Sequence, residues 1–202
     1  STGSYLECQD FWRISGIERD VYLWSQPKTS VRDFSVVSTL DDNYRNGIFK
    51  LKTIVKNRDT KSSKVEVSYE LTDKNNNIVS SGKQPLSLNP GEEKDLLFAE
   101  TIDNPLTWTS EAPNLYRLTI TITQNKKIAE VIPFSVGFRR IEIKPVRGDG
   151  GRIDNLLLVN GQPIILKGVN IHEVNQKTGH YVTEEIMKRD FELMKQFNVN
   201  SI

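Results

Sequence analysis

The sequence predicts a mainly β chain: an immunoglobulin-like β-sandwich followed by one strand–helix–strand piece of a parallel sheet. Two observations point to the sandwich. Between Phe34 and about Ile143, apolar and polar residues alternate with period two in short runs, and turn residues punctuate the runs at short intervals. The span is about 100 residues, the size of an immunoglobulin-like domain. A third observation points to the second piece: from Thr183 the apolar period lengthens to that of an amphipathic helix.

The runs follow one another along the chain. Ile48-Phe-Lys-Leu-Lys-Thr-Ile-Val55 and Val65-Glu-Val-Ser-Tyr-Glu-Leu71 alternate as half-buried strands do. Asp73-Lys-Asn-Asn-Asn77 is a turn cluster, after which Ile78-Val79 start a new strand. Asn89-Pro-Gly91 is a second turn. Leu115-Tyr-Arg-Leu-Thr-Ile-Thr-Ile122 is a long β-branched run, and Gln124-Asn-Lys-Lys127 turns it back into Ile128-Ala-Glu-Val-Ile132. Further upstream, Ser15-Gly-Ile-Glu-Arg-Asp-Val-Tyr-Leu23 has the composition of a strand. Arg19 and Asp20 fall on its rim, where a structural ion pair is the ordinary explanation.

After Gly137 the character changes. Leu156-Leu-Leu-Val159, Asn160-Gly161 and Pro163-Ile-Ile-Leu166 predict a hairpin with an Asn-Gly turn. Thr183 is placed to cap a helix, Glu184 and Glu185 suit its first turn, and Met187, Phe191, Met194 and Phe197 share one face. Asn198-Val-Asn-Ser-Ile202 begins another strand. Strand, loop, helix and strand make one βαβ unit, which cannot cover both its own faces. The chain is therefore expected to end inside a domain. Residues after about 167 are expected to be poorly protected, or to be ordered by packing against another copy. The opening Ser1-Thr-Gly-Ser-Tyr5 likewise reads as a cut end.

Composition excludes several classes. The net charge is +1, with 27 Lys and Arg against 26 Asp and Glu, so no basic field attracts nucleic acid. Hydrophobic residues at 37% and charged residues at 26% are globular proportions, which argues against wholesale disorder. Cys8 is the single cysteine, so no intrachain disulfide can form, and a small buried hydrophobe is its ordinary role. No apolar stretch approaches the roughly 18 residues of a membrane helix.

Four constellations bear on chemistry. The first is Lys167-Gly-Val-Asn-Ile-His-Glu-Val-Asn-Gln-Lys-Thr-Gly-His180, which holds both histidines. A zincin motif needs His-Glu-x-x-His on a helix, but Gln176 stands where the second imidazole belongs. The second is Arg147-Gly148-Asp149, which resembles an adhesion tripeptide but lies in a glycine-rich loop. The third is the carboxylate set Glu173, Glu184 and Glu185. Glycoside hydrolysis needs two carboxylates roughly 5 to 10 Å apart. The helix N-terminus explains Glu184 and Glu185, which leaves Glu173 without an evident partner. The fourth is the Arg19-Asp20 pair.

Taken together, these pieces resemble successive landmarks of glycoside hydrolase family 2, most closely its large β-galactosidases. The landmarks are Phe11-Trp-Arg-Ile-Ser-Gly-Ile-Glu-Arg-Asp-Val-Tyr-Leu23, Trp108 with Glu111-Ala-Pro-Asn-Leu-Tyr-Arg117, Val136-Gly-Phe-Arg-Arg140, Leu158-Val-Asn-Gly-Gln-Pro-Ile164, Lys167-Gly-Val-Asn-Ile-His-Glu173 and Met194-Lys-Gln-Phe-Asn-Val-Asn200. They run in order over essentially the whole chain. The resemblance implies that residues 1–26 are the last strands of a jelly-roll sugar-binding domain. Residues 27–138 would be the sandwich. Residues 139–202 would open a catalytic (β/α)8 barrel, as its lead-in hairpin and first βαβ piece. Val146-Arg-Gly-Asp-Gly-Gly-Arg-Ile-Asp154 is longer than the usual linker there and reads as a local insertion.

The resemblance also implies a function and two site residues. The parent would be a retaining exo-glycosidase for terminal β-D-galactosides, with a β-galactoside-containing oligosaccharide as its partner. It admits a homo-oligomeric parent and singles out no compartment. Its sister specificities are β-glucuronidase and β-mannosidase, and a non-catalytic carbohydrate-binding or spacer sandwich is the alternative of another class. His172 matches the family's sugar-contacting histidine, a role that suits a hydrogen bond tightening as the ring flattens. Asp20 matches an aspartate that helps hold a sodium ion and the sugar's primary hydroxyl, as an oxygen donor to a hard cation can. Glu18 departs from the pattern, standing where an aromatic residue is usual. The resemblance implies no cofactor in these residues and allows sodium and magnesium in the full-length enzyme. It places both catalytic glutamates beyond Ile202, so these 202 residues alone are expected to be inactive.

Overall fold

The structure is a computed structural model that describes residues 16–148 and 152–202. Cys8 and Asp149 lie outside the described residues, so neither the buried-hydrophobe reading nor the full tripeptide can be placed. The chain divides into two compact units. One is Ser25–Ile164. The other joins the N-terminal segment up to Trp24 with Ile165–Ile202.

The first unit is the sandwich. Strands β1 (Thr29–Leu40), β2 (Gly47–Asn57) and β5 (Glu93–Ile102) form a sheet in the order β1-β2-β5. Strands β3 (Ser63–Thr72), β4 (Ile78–Leu88), β6 (Tyr116–Gln124) and β7 (Lys127–Val136) form a second, ordered β4-β3-β6-β7. Neighbouring strands are antiparallel throughout. The expected period-two pattern becomes the core. Phe49, Leu51, Thr53 and Val55 of β2 face Val67, Tyr69 and Leu71 of β3 and Leu118, Ile120 and Ile122 of β6, all buried. Fully burying one such side chain is worth about 1.5–3 kcal/mol. Tyr69 sits between Phe49 and Phe98, with ring centroids 5.3 and 5.0 Å away. The space between the sheets is filled mostly by Val, Leu and Ile side chains, with the rings of Phe49, Tyr69, Phe98, Tyr116 and Phe138 among them.

The turns obey their residues. Asp73 Oδ1 accepts from the N–H groups of Asn75 and Asn77, both at 2.8 Å, and Asn76 takes φ 63°. Asn125 and Lys126 take φ 51° and 63°, the left-handed pair that a tight β6–β7 hairpin demands. At the β4–β5 connection Gly91 takes φ 73°. Here the chain passes from the four-stranded sheet to the three-stranded one. In the constant-type immunoglobulin arrangement the fourth strand pairs with the first sheet. Here it pairs with β3 instead.

A separate three-stranded sheet follows within the same unit, from β8 (Ile141–Arg147), β9 (Ile153–Val159) and β10 (Gln162–Pro163). The Asn160-Gly161 turn forms as expected, with φ 51° and 77°. Its second arm is shorter than expected: Gln162 and Pro163 pair with β9, Ile164 N–H makes one further bond to Leu157 O at 3.0 Å, and residues 165–166 lie outside the strand. Proline has no N–H to donate, which weakens continuation past Pro163. β9 finds its main partner in β8, to which the sequence assigned no pairing.

The second unit contains α1 (Glu184–Gln196). Thr183 caps it, accepting from Ile186 N–H at 3.3 Å. The predicted apolar stripe is present, yet no residue of the helix is buried. The strand expected over residues 15–23 is not found among the described residues, where residues 16–23 form no ladder. Ile17, Val21, Tyr22 and Leu23 are 79–100% exposed. Strand-like composition needs a partner edge to become a strand, and among the described residues none is offered.

Candidate functional site

The second unit builds its site from a short parallel pairing. Val169 N–H donates to Ser201 O at 3.2 Å, and Asn200 N–H donates to Lys167 O at 3.0 Å. Gly168 and Ser201 thus form a parallel bridge across the intervening helix. That is the βαβ closure expected for residues 167–202, in its smallest form. His172 leaves the C-terminal end of the first of these two segments, where (β/α)8 enzymes gather their functional side chains. It is exposed, as is Asp20.

Between His172 and His180 the loop closes on itself. Asn175 and Gly179 exchange two main-chain hydrogen bonds, both at 2.8 Å, and Gly179 takes φ 67°. Asn175 Oδ1 accepts from Lys177 N–H at 2.9 Å and Thr178 N–H at 3.3 Å. Asn and Gly supply the self-bonding side chain and the left-handed backbone that such a turn requires. The turn separates the two histidines, so they cannot share a metal in the zincin manner. Among the described residues no three His, Cys, Asp or Glu side chains converge on a point that could hold a metal ion.

The same unit joins this loop to residues 18–20. Arg19 forms an ion pair through Nη2 with Glu173, and its Nη1 donates to His180 O at 3.3 Å. Glu18 Oε1 lies 2.9 Å from His180 Nδ1, and His180 is buried. Arg19 therefore pairs with a residue 154 positions away rather than with its neighbour Asp20. Sequence reasoning left Glu18, Glu173 and His180 without chemistry and Arg19 as a structural residue. No local pattern signals a link of that separation. The one available hint was that Glu18 replaces a usual aromatic.

Asp20 would offer a cation a single carboxylate. Among the described residues Asp20 joins no group of three His, Cys, Asp or Glu side chains that could hold a metal ion. Of the tripeptide, Arg147 ends β8, paired with Ile153, and Gly148 N–H donates to Arg152 O at 2.9 Å.

The family model for Glycosyl hydrolases family 2 matches residues 29–139, and that for the family's TIM barrel domain matches residues 153–202. A β-galactosidase of Streptococcus thermophilus is 40% identical over 204 residues, covering 100% of this chain and 18% of the relative. A β-galactosidase of Halalkalibacterium halodurans is 36% identical over 203 residues, again covering 100% of this chain and 18% of its own length. This chain therefore spans under a fifth of each. Among solved structures, a Parabacteroides merdae β-glucuronidase matches with a TM-score of 0.71 at 27% identity, over 86% of this chain and 20% of that one.

Proposed function

The chain belongs to glycosyl hydrolases family 2, and from that premise we propose that it is part of a retaining exo-glycosidase for terminal β-D-galactosides. The observation that carries the galactoside is the match of the whole chain to β-galactosidases at 36–40% identity. Residues 1–26 then belong to the preceding sugar-binding domain, whose remaining strands would supply the ladder that residues 16–23 lack. Residues 27–138 are the sandwich, and residues 139–202 open the barrel. The acid/base and nucleophile glutamates come from later barrel strands, set about 5–5.5 Å apart so that attack at the anomeric carbon retains configuration.

Within this part of the enzyme, His172 donates to or accepts from a sugar hydroxyl in a bond that strengthens toward the transition state. Asp20 supplies one carboxylate toward the sugar's primary hydroxyl and a sodium ion. A glucuronide substrate is the second reading, favoured by the likeness to the Parabacteroides merdae enzyme.

The test is the parent enzyme, expressed from its native reading frame and assayed with nitrophenyl β-galactoside, β-glucuronide and β-mannoside. The galactoside should give the highest kcat/KM, with the β-anomer released first in proton NMR. A preference for the glucuronide would replace the substrate while keeping the mechanism. Inversion of configuration would sink the mechanism. Turnover by these 202 residues alone would sink the placement of the glutamates.

A further inference from the structure

We infer that Arg19 is a positioning residue: its one guanidinium pins the His172 loop at both ends and couples that loop to the segment carrying Asp20. The inference rests on the glycosidase reading for what the loop does, and on geometry alone for how it is held.

Arg19 reaches Glu173 through Nη2 and His180 O through Nη1. Those two partners bracket the closed Asn175–Gly179 turn, so one planar fork spans the start and the end of the loop. Glu18, the preceding residue, takes the His180 side chain at 2.9 Å. Asp20, the following residue, is thereby one residue from the ion pair, and His172 is one residue from it on the other side. Both proposed sugar contacts flank the same link.

Stability is a poor explanation for this link. The side chains of Arg19 and Glu173 are 58% and 54% exposed. Exposed ion pairs add little to stability. Geometry is the better explanation, because small displacements of a binding group cost rate steeply. Arginine is also the suited residue: its guanidinium serves two acceptors in fixed directions, whereas a lysine ammonium is a point charge.

The experiment uses the full-length enzyme with Arg19→Lys, Glu173→Gln and the double variant. Four quantities are read: kcat, KM, the thermal midpoint, and amide hydrogen exchange over residues 172–180. Each single variant should lower kcat/KM by about tenfold, with the double variant no worse than either single. Lysine should fail to rescue. Exchange over the loop should quicken several-fold while the thermal midpoint stays within a few degrees. Full activity in Arg19→Lys, losses that multiply in the double variant, or losses that track a fall in the thermal midpoint would each overturn the inference. If the wild type hydrolyses none of the three glycosides, the glycosidase reading fails. The link is then judged by exchange, and unchanged exchange in both single variants overturns it.

Discussion

Asn200 holds Lys167 twice. Its Oδ1 accepts from Lys167 N–H at 2.7 Å, and its own N–H donates to Lys167 O at 3.0 Å. Its Nδ2 also donates to Ile165 O at 2.9 Å. A side chain thus extends the ladder of the short parallel pairing that leads to His172. Asn200→Ala should loosen that pairing by about 1 kcal/mol, since each exposed hydrogen bond contributes little net. The readout is amide exchange at Lys167 and Val169, which should quicken several-fold. Asn200→Asp keeps the acceptor and should show a smaller effect. Unchanged exchange in the alanine variant would refute the role.

Thr53 is a flaw in the sandwich core. It is 0% exposed, and its Oγ1 has no hydrogen-bond partner among the described residues. Burying an unpaired hydroxyl costs about 1–3 kcal/mol. Thr53→Val keeps the shape and removes the polar atom. It should raise the urea midpoint with an unchanged slope, by about 1 kcal/mol in stability. A lowered midpoint would show that the hydroxyl finds a partner in solution.

Gly47 gives way to Phe138. A Cβ on Gly47 would lie 2.7 Å from a Phe138 ring carbon and 3.0 Å from Pro105 Cγ. Phe138 cannot retreat: it is 0% exposed and packs edge-to-face on Tyr116 at 5.3 Å. Gly47→Ala should therefore destabilise the sandwich by about 1–3 kcal/mol in urea unfolding. An unchanged midpoint would mean that the ring has room to move.

Glu142 makes the β8 sheet acid-sensitive. Tyr44 donates its hydroxyl to Glu142, Lys144 Nζ lies at 3.1 Å, and Arg140 Nε lies at 3.0 Å. The Tyr44 hydrogen bond, ahead of the two cations, holds the Glu142 carboxyl below its usual 4.5. The folded state then binds its proton less readily than the unfolded state. The resulting stability is present above pH 4.5 and is lost as pH falls through the lowered folded value. Tyr44→Phe removes the leading cause, so less stability is gained and acid unfolding should begin at a higher pH. Circular dichroism followed during acid titration measures this. A midpoint that does not move would exclude the hydroxyl as the cause.

The elements that were legible in the sequence are those whose information is local. Alternation in Ile48–Val55 and Val65–Leu71 specified which side chains face inward, and the structure buries Phe49, Leu51, Val67 and Tyr69 accordingly. Asp73 announced its turn through the side-chain oxygen it offers to nearby N–H groups, and Asn125 and Asn160 announced theirs because asparagine tolerates the left-handed backbone required. Thr183 marked the start of the helix within a residue. Elsewhere local information pointed to a strand that does not form. Residues 16–23 have strand composition, but a strand also needs a neighbouring edge.

The alternating strands β2, β3, β6 and β7, their turns and the helix with its cap were determined by the sequence itself. Each depends on residues within one turn or one strand of one another. Only the tertiary structure decided which strands pair, that β4 joins β3 and β9 joins β8, and that Arg19 reaches Glu173 across 154 positions. Those choices depend on which edges, pockets and charges the folded chain brings into range. Side chains far apart in sequence interact only after that folding has set the distance between them.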